Sequence, residues 1–244
     1  MMIASLVTAQ AEPIHYLPIA TTAIAAAFFA VLVRRYLATQ SGPHLLWWAG
    51  GIFAYGLGTA LEATITVAGN SLALTKAWYI AGALLGGYPL AQGTVYLLLP
   101  RRTAHVLTAI TVPYLLVMAV LVLLSPVNIE ALLPHKPSGS ILGWTWVRAM
   151  TPLLNGYAAL FLIGGAIYSA VKYARKTGGG NRALGNSLIA FGALLPGVGG
   201  GMAKAGIVEA LYLGEFVGLI FIWAGYAACV RVPAEVPAAA VEPI

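Results

Sequence analysis

The chain has 244 residues, of which 60% are hydrophobic and 8% charged, with a mean hydropathy of +0.88. Soluble domains carry about 25% charged residues, so this composition excludes a water-soluble globular protein and implies one polytopic membrane domain. The net charge of +6 has to be read by location, because basic residues between apolar runs set topology and do not point to nucleic acid.

Two residue counts narrow the chemistry. The seven acids are all Glu (Glu12, Glu62, Glu130, Glu209, Glu215, Glu235 and Glu242) and there is no Asp. That removes mechanisms built on paired aspartates or on an Asp-based metal motif. A single cysteine, Cys229, excludes an internal disulfide and a Cys-rich metal site.

In chain order, the opening stretch MMIASLVTAQAE ends in small residues but lacks a basic n-region and a long apolar h-region. Residues 1–15 therefore read as a short, retained external tail. Apolar runs of about 20 residues mark spanning helices. They fall at 16–36, 45–68, 73–99, 104–124, 146–173, 184–206 and 209–230, which gives an all-α transmembrane bundle of seven helices over 16–231. Turn chemistry separates the runs at TQSGPH (39–44), GNS (69–71), PRR (100–102), SPVNIEALLPHKPSGS (125–140), RKTGGGNR (175–182) and KAGIVE (204–209). The Ala/Pro-rich segment 232–244 has no apolar face and reads as a disordered cytoplasmic tail.

Lys and Arg orient the bundle. Arg34, Arg35, Arg101, Arg102, Lys172, Arg175, Lys176, Arg182 and Arg231 fall at one end, and Lys136 is the clear loop cation of the other. Cytoplasmic loops are enriched in Lys and Arg, so the N-terminus is expected outside and the C-terminus inside. Trp47 and Trp48 then lie near the inner interface, with Trp144 and Trp146 near the outer one.

Small residues recur at every fourth position: Gly50/Ala54/Gly58, Gly82/Gly86, Gly197/Gly201/Ala205 and Gly214/Gly218. Such rows let helix backbones approach closely in lipid. LLPGVGGGMAKAG (194–206) reads either as packing or, with Pro196, as a broken stretch lining a cavity. Pro89, Pro113, Pro152 and Pro196 lie within runs and should kink them. Pro89, Gln92 and Pro196 are candidate hinge positions, and the Gly86–Gln92 segment is a candidate midplane notch.

Charged residues inside the runs are the candidate site, since each costs roughly 2.5–3.5 kcal/mol at the bilayer centre unless paired or hydrated. Counted from Asn70, Glu62 lies ~12 Å along its helix and Lys76 ~9 Å. The two sit at similar depth in antiparallel neighbours and are expected to pair. Arg148 and Glu215 lie in the same half. Helical spacing gives each a polar line: Tyr55–Glu62–Thr66, Lys76–Tyr79–Thr94, Arg148–Asn155 and Tyr212–Glu215–Tyr226. These lines are expected to converge on one cluster. That cluster is a functional cavity facing outward, an ion-pair network that only fixes helix packing, or side chains (Lys76, Arg148 and Glu215) that snorkel to water at the interface.

No cofactor or metal site is expected. His15, His44, His105 and His135 lie at run ends or in loops, whereas haem ligands belong on facing helices. Nucleophile and phosphate-loop signatures are absent, so no enzyme is expected. The layout resembles microbial rhodopsins in architecture, but the seventh run has no Lys for retinal, and fold does not imply function. The stretches LTKAWYIAGALLGGYPLAQGTVYLL (74–98) and WWAGGIFAYGLGTALEA (47–63) resemble an uncharacterised group of bacterial seven-helix membrane proteins. That resemblance implies a bacterial inner membrane and assigns no residue a role. The expected function is a small transporter or sensor that binds an ion or small ligand in an outward-facing polar cavity. The alternative is a structural or anchor subunit with protein partners in a larger membrane complex. The expected surroundings are the lipid bilayer, without nucleic acid.

Overall fold

A computed structural model describes residues 13–231, and its long elements are all helical. The assignments made above for residues 1–12 and 232–244 lie outside the described residues. In order, the helices are α1 (Leu17–Thr39), α2 (Pro43–Ala68), α3 (Leu72–Trp78), α4 (Tyr88–Leu98), α5 (Arg101–Leu124), α6 (Thr145–Ala158), α7 (Gly165–Ala174), α8 (Gly180–Lys204) and α9 (Val208–Val230). Short π-helical segments, Tyr79–Leu84 and Ala159–Gly164, follow α3 and α6. The described residues therefore make seven helical rods, matching the seven apolar runs, and six of their helices are long and apolar enough to cross a membrane. The third run is interrupted within its length.

Local chemistry explains the boundaries. Pro18 and Pro43 occupy the first turns of α1 and α2, where the missing N–H is no loss. Gly69 ends α2 at φ +87°, a region glycine enters without steric cost. Two residues later, Ser71 caps α3 by accepting from the Leu74 N–H at 3.2 Å. Pro13–Tyr16 is a 3₁₀ turn that leads into α1 and buries His15, so the external tail expected at 1–15 already belongs to the bundle by residue 13.

The interior prolines behave differently from one another. Pro113, Pro152 and Pro196 lie within continuous helices. Pro89 sits in the first turn of α4, beyond a π closure from Leu85 N–H to Ile80 O and bends at Gly86 and Gly87. The third run is thus broken before Pro89 rather than kinked at it. Of the two readings of 194–206, the broken stretch is not what forms: α8 runs unbroken through Pro196 and its glycines to Lys204.

α2 is the most enclosed of the six long helices, packed against α1, the π segment and α4. α8 and α9 share the largest interface. A Cβ added at Gly192 would meet Gly218 O at 2.6 Å, and one at Gly185 would meet Gly225 O at 2.5 Å. Gly199 similarly lies against the Ala210 carbonyl at 2.5 Å, while Gly197 and Gly201 have nothing within 4 Å. The contact row on α8 is therefore Gly185–Gly192–Gly199 and not Gly197–Gly201–Ala205. On α9, Gly214 and Gly218 do face α8, against Leu195 O and Gly192 O.

The segment 125–144 folds over one end of the bundle. Asn128 N–H donates to Ile141 O at 2.8 Å and Gly143 N–H to Pro126 O at 2.7 Å. Asn70, at the α2–α3 turn, donates to Leu133 O and Lys136 O through Nδ2, at 2.9 and 3.2 Å. This ties the segment above the ends of α2 and α9, where the buried acids begin.

Candidate functional site

Glu62 lies on the buried face of α2, with Tyr55 and Thr66 on the same face, as the spacing predicts. It is 1% exposed. Its carboxyl meets that of Glu215 on α9 within hydrogen-bonding reach. Glu62 stands seven residues before Gly69 and Glu215 seven after Val208, so each is ~10 Å of rise in from its helix end. The depths match across two antiparallel helices, and the partner of the acid is a second acid.

The pair has few donors. Trp78 Nε1 donates to Glu62 Oε1 at 2.6 Å, and Tyr55 Oη donates to the Glu215 backbone carbonyl at 2.7 Å. As carboxylates, Glu62 and Glu215 each leave Oε2 buried with no hydrogen-bond partner among the described residues, and Thr66 Oγ1 and Tyr212 Oη are in the same condition. Tyr212 is fully buried, in the field of Glu62, Glu215 and Glu209. Two like charges in contact in a low-dielectric interior cannot both stay ionised. One proton held between the carboxyls would supply the missing donor and remove one charge.

Lys76 does not join them. Its Nζ donates to Leu123 O and Ser125 O, at 2.7 and 2.8 Å, at the end of α5. The expected Glu62–Lys76 ion pair is therefore not formed. Depth alone does not fix which way a side chain points: residues two apart on a helix differ by ~200° in azimuth, and Trp78 takes the face toward α2. Arg148 is half-buried on α6 beside the Gly139 turn and Tyr79. Tyr79 shares a hydrogen bond with Thr151 Oγ1 at 2.8 Å. Asn155 is exposed. The four polar lines thus divide: Tyr55, Glu62, Tyr212 and Glu215 meet, whereas Lys76, Tyr79, Arg148 and Asn155 stand apart from them and Tyr226 lies against Phe28 and Arg35.

Above the pair, toward segment 125–144, sits a polar plug. Lys136 Nζ donates to Glu209 Oε1 at 2.6 Å, and His15 Nε2 lies 3.3 Å from the same oxygen. The His15 ring meets the Tyr212 ring edge-on with centroids 5.9 Å apart, and His135 Nδ1 contacts Thr66 O at 3.3 Å. From the helix end inward the order is Lys136, Glu209 with His15, Tyr212, then the carboxyl pair. On the other side, Tyr55 belongs to the apolar core of Phe28, Ile52, Leu219 and Ile222.

Gln92, expected at a hinge, is instead a fully buried hub. It donates to Thr108 Oγ1 at 2.7 Å and to Ala104 O at 3.3 Å, and accepts from the Tyr157 hydroxyl. Sequence reasoning missed Trp78, Glu209, His15 and Lys136 as members of the polar chain. The signal for Glu209 was its place two turns before Glu215 on one helix. Nothing local marked His15 as its neighbour. No protein-family model matches the chain, and no curated protein or solved structure shows detectable similarity to it.

Proposed function

We propose that this chain is a multi-pass protein of the bacterial cytoplasmic membrane that acts as a small transporter or sensor. It binds a proton or small cation at Glu62 and Glu215, reached from the outer side. The N-terminus is outside and the C-terminus cytoplasmic, the orientation that Arg34, Arg35, Arg101, Arg102 and the 172–182 cations favour.

The observation that carries this reading is the carboxyl pair itself. Glu62 is buried and Glu215 is partly buried against it, with no basic partner among the described residues, whose ion pairs all fall on Glu209. Intramembrane acids are expensive and mark proton and ion pathways. A packing clasp needs an opposite charge; this pair needs a proton or a cation in its place. Access from the outer side is supported by what covers each face. Outward stands a plug of exchangeable polar contacts through Glu209, His15 and Lys136, and inward an apolar core. That plug lies between the pair and segment 125–144, so uptake from the outer side requires the Lys136–Glu209 contact to part.

The test reconstitutes the protein in vesicles loaded with a pH-reporting dye, under an imposed potential and then in Na⁺ or K⁺ gradients. A transporter shows acid or cation entry that Glu62→Gln and Glu215→Gln each abolish and that Glu209→Gln accelerates. A sensor shows no flux but a protonated-carboxyl infrared band that titrates in the wild type and is lost in both Gln variants. If the substitutions change only thermal stability and the protein co-purifies with fixed partners, the chain is a structural subunit and the proposal fails.

A further inference from the structure

We infer that the groove between α2 and the interrupted third rod holds one acyl chain of an anionic phospholipid, with the lipid phosphate on Lys76. The site is separate from the carboxyl pair and does not depend on its function.

The groove has a volume of about 550 Å³ and is lined by Leu57 and Leu61 of α2, Lys76, Ala77, Ile80 and Leu85 of the third rod, and Leu123 of α5. Its walls are otherwise almost wholly apolar. Two features of the third rod open it. Ala73, Ala77 and Ala81 put small side chains at every fourth position, and the π segment Tyr79–Leu84 displaces the chain before Pro89 restarts a regular helix.

Length and charge choose the occupant. Lys76 and Leu85 are nine positions apart, ~14 Å of helical rise, close to the ~15 Å of one leaflet's hydrocarbon. An acyl chain headed at the Lys76 ammonium lies along this groove. The Lys76 ammonium gives two N–H groups to Leu123 O and Ser125 O. Carbonyls orient it but leave the full positive charge, and one N–H remains. No carboxylate pairs with it among the described residues, whose ion pairs all fall on Glu209. A cation at this depth requires a counter-ion or water. A phosphate at the head of the chain in the groove supplies the counter-ion where the acyl chain supplies the apolar contact.

The test places the full-length protein in nanodiscs of equal phosphatidylglycerol and phosphatidylcholine and counts retained lipid by native mass spectrometry. Wild type is expected to keep one phosphatidylglycerol per chain with a preference of about fivefold, the contribution of one juxtamembrane Lys. Lys76→Met removes the preference, and Lys76→Arg keeps it. Ala77→Leu fills the groove, leaves the ammonium in place, and lowers retention of both lipids. Each variant is first checked for monodisperse elution, and if one does not fold the other decides alone. Three results overturn the inference: equal retention of the two lipids by wild type, a preference that survives Lys76→Met or a total retention unchanged by Ala77→Leu, or a second copy of the chain covering the groove.

Discussion

Lys76 and Trp78 stand two residues apart, and that separation decides what Glu62 touches. The sequence placed a donor for Glu62 on the third rod at the right depth, and a donor is there: the Trp78 indole N–H, 2.6 Å from Oε1. What stayed hidden was azimuth, because the start of α3 is fixed by the Ser71 cap and by packing rather than by its own apolar pattern. Glu215 was legible as a member of a polar line with Tyr212, but pairing like charges runs against the rule that opposite charges seek each other, and only the three-dimensional crossing of α2 and α9 shows it. Two outcomes follow from this geometry. Trp78→Phe keeps the ring but leaves Glu62 Oε1 without its donor, and an unsatisfied buried acceptor costs about 1–3 kcal/mol. Thermal unfolding in detergent should therefore shift downward, and an unchanged midpoint would show that this hydrogen bond contributes nothing. Glu62→Gln should be nearly neutral in the same assay, because its amide donates to Glu215 as the shared proton does. Glu62→Leu should be strongly destabilising, since Glu215 would then have to bind a proton alone or sit in the interior ionised.

At the level of elements, apolar run length located every helical rod to within a few residues, and turn residues located their ends. Close packing was legible only in kind. Both α8 and α9 carry enough glycine to lie backbone to backbone, yet the row that does so on α8 is spaced by seven, Gly185–Gly192–Gly199, rather than by four. A seven-residue row keeps facing a partner that crosses at a shallow left-handed angle, whereas a four-residue row drifts across it. Sequence alone presents both spacings in this Gly-rich helix and does not rank them. The contrast is measurable. Gly192→Ala sets a Cβ 2.6 Å from a backbone carbonyl that cannot move without separating the helices, and such overpacking costs about 1–3 kcal/mol. Gly197→Ala has open space around its Cβ and should be neutral or gain about 0.5–1 kcal/mol from the lower helix cost of Ala. Equal thermal midpoints for the two variants would mean that the α8–α9 register differs from the one described.

For the molecule as a whole, composition was decisive about the solvent and Lys/Arg placement about the proposed orientation, because both depend on sums over many residues and tolerate local errors. The same sums say nothing about which polar residues meet. That is why the bundle was readable while its polar interior had to be seen folded. Orientation also bears on function, since the Lys136–Glu209–His15 plug closes the carboxyl pair toward the end of the bundle that carries segment 125–144. If that end faces outward, the pair answers to the cell's surroundings; if it faces inward, the same residues answer to the cytoplasm and the proposed direction of uptake reverses. Cys229 is the sole cysteine, so Cys229→Ser gives a clean background for single reporters. Ser138→Cys, in the loop beside Lys136, should react with a membrane-impermeant maleimide on intact cells. Thr177→Cys, in the basic α7–α8 turn, should react only after the membrane is opened. The opposite pattern would put nine Lys and Arg residues on the outside, against the bias that sets topology in short loops, and would leave the plug facing the cytoplasm with uptake, if any, running outward.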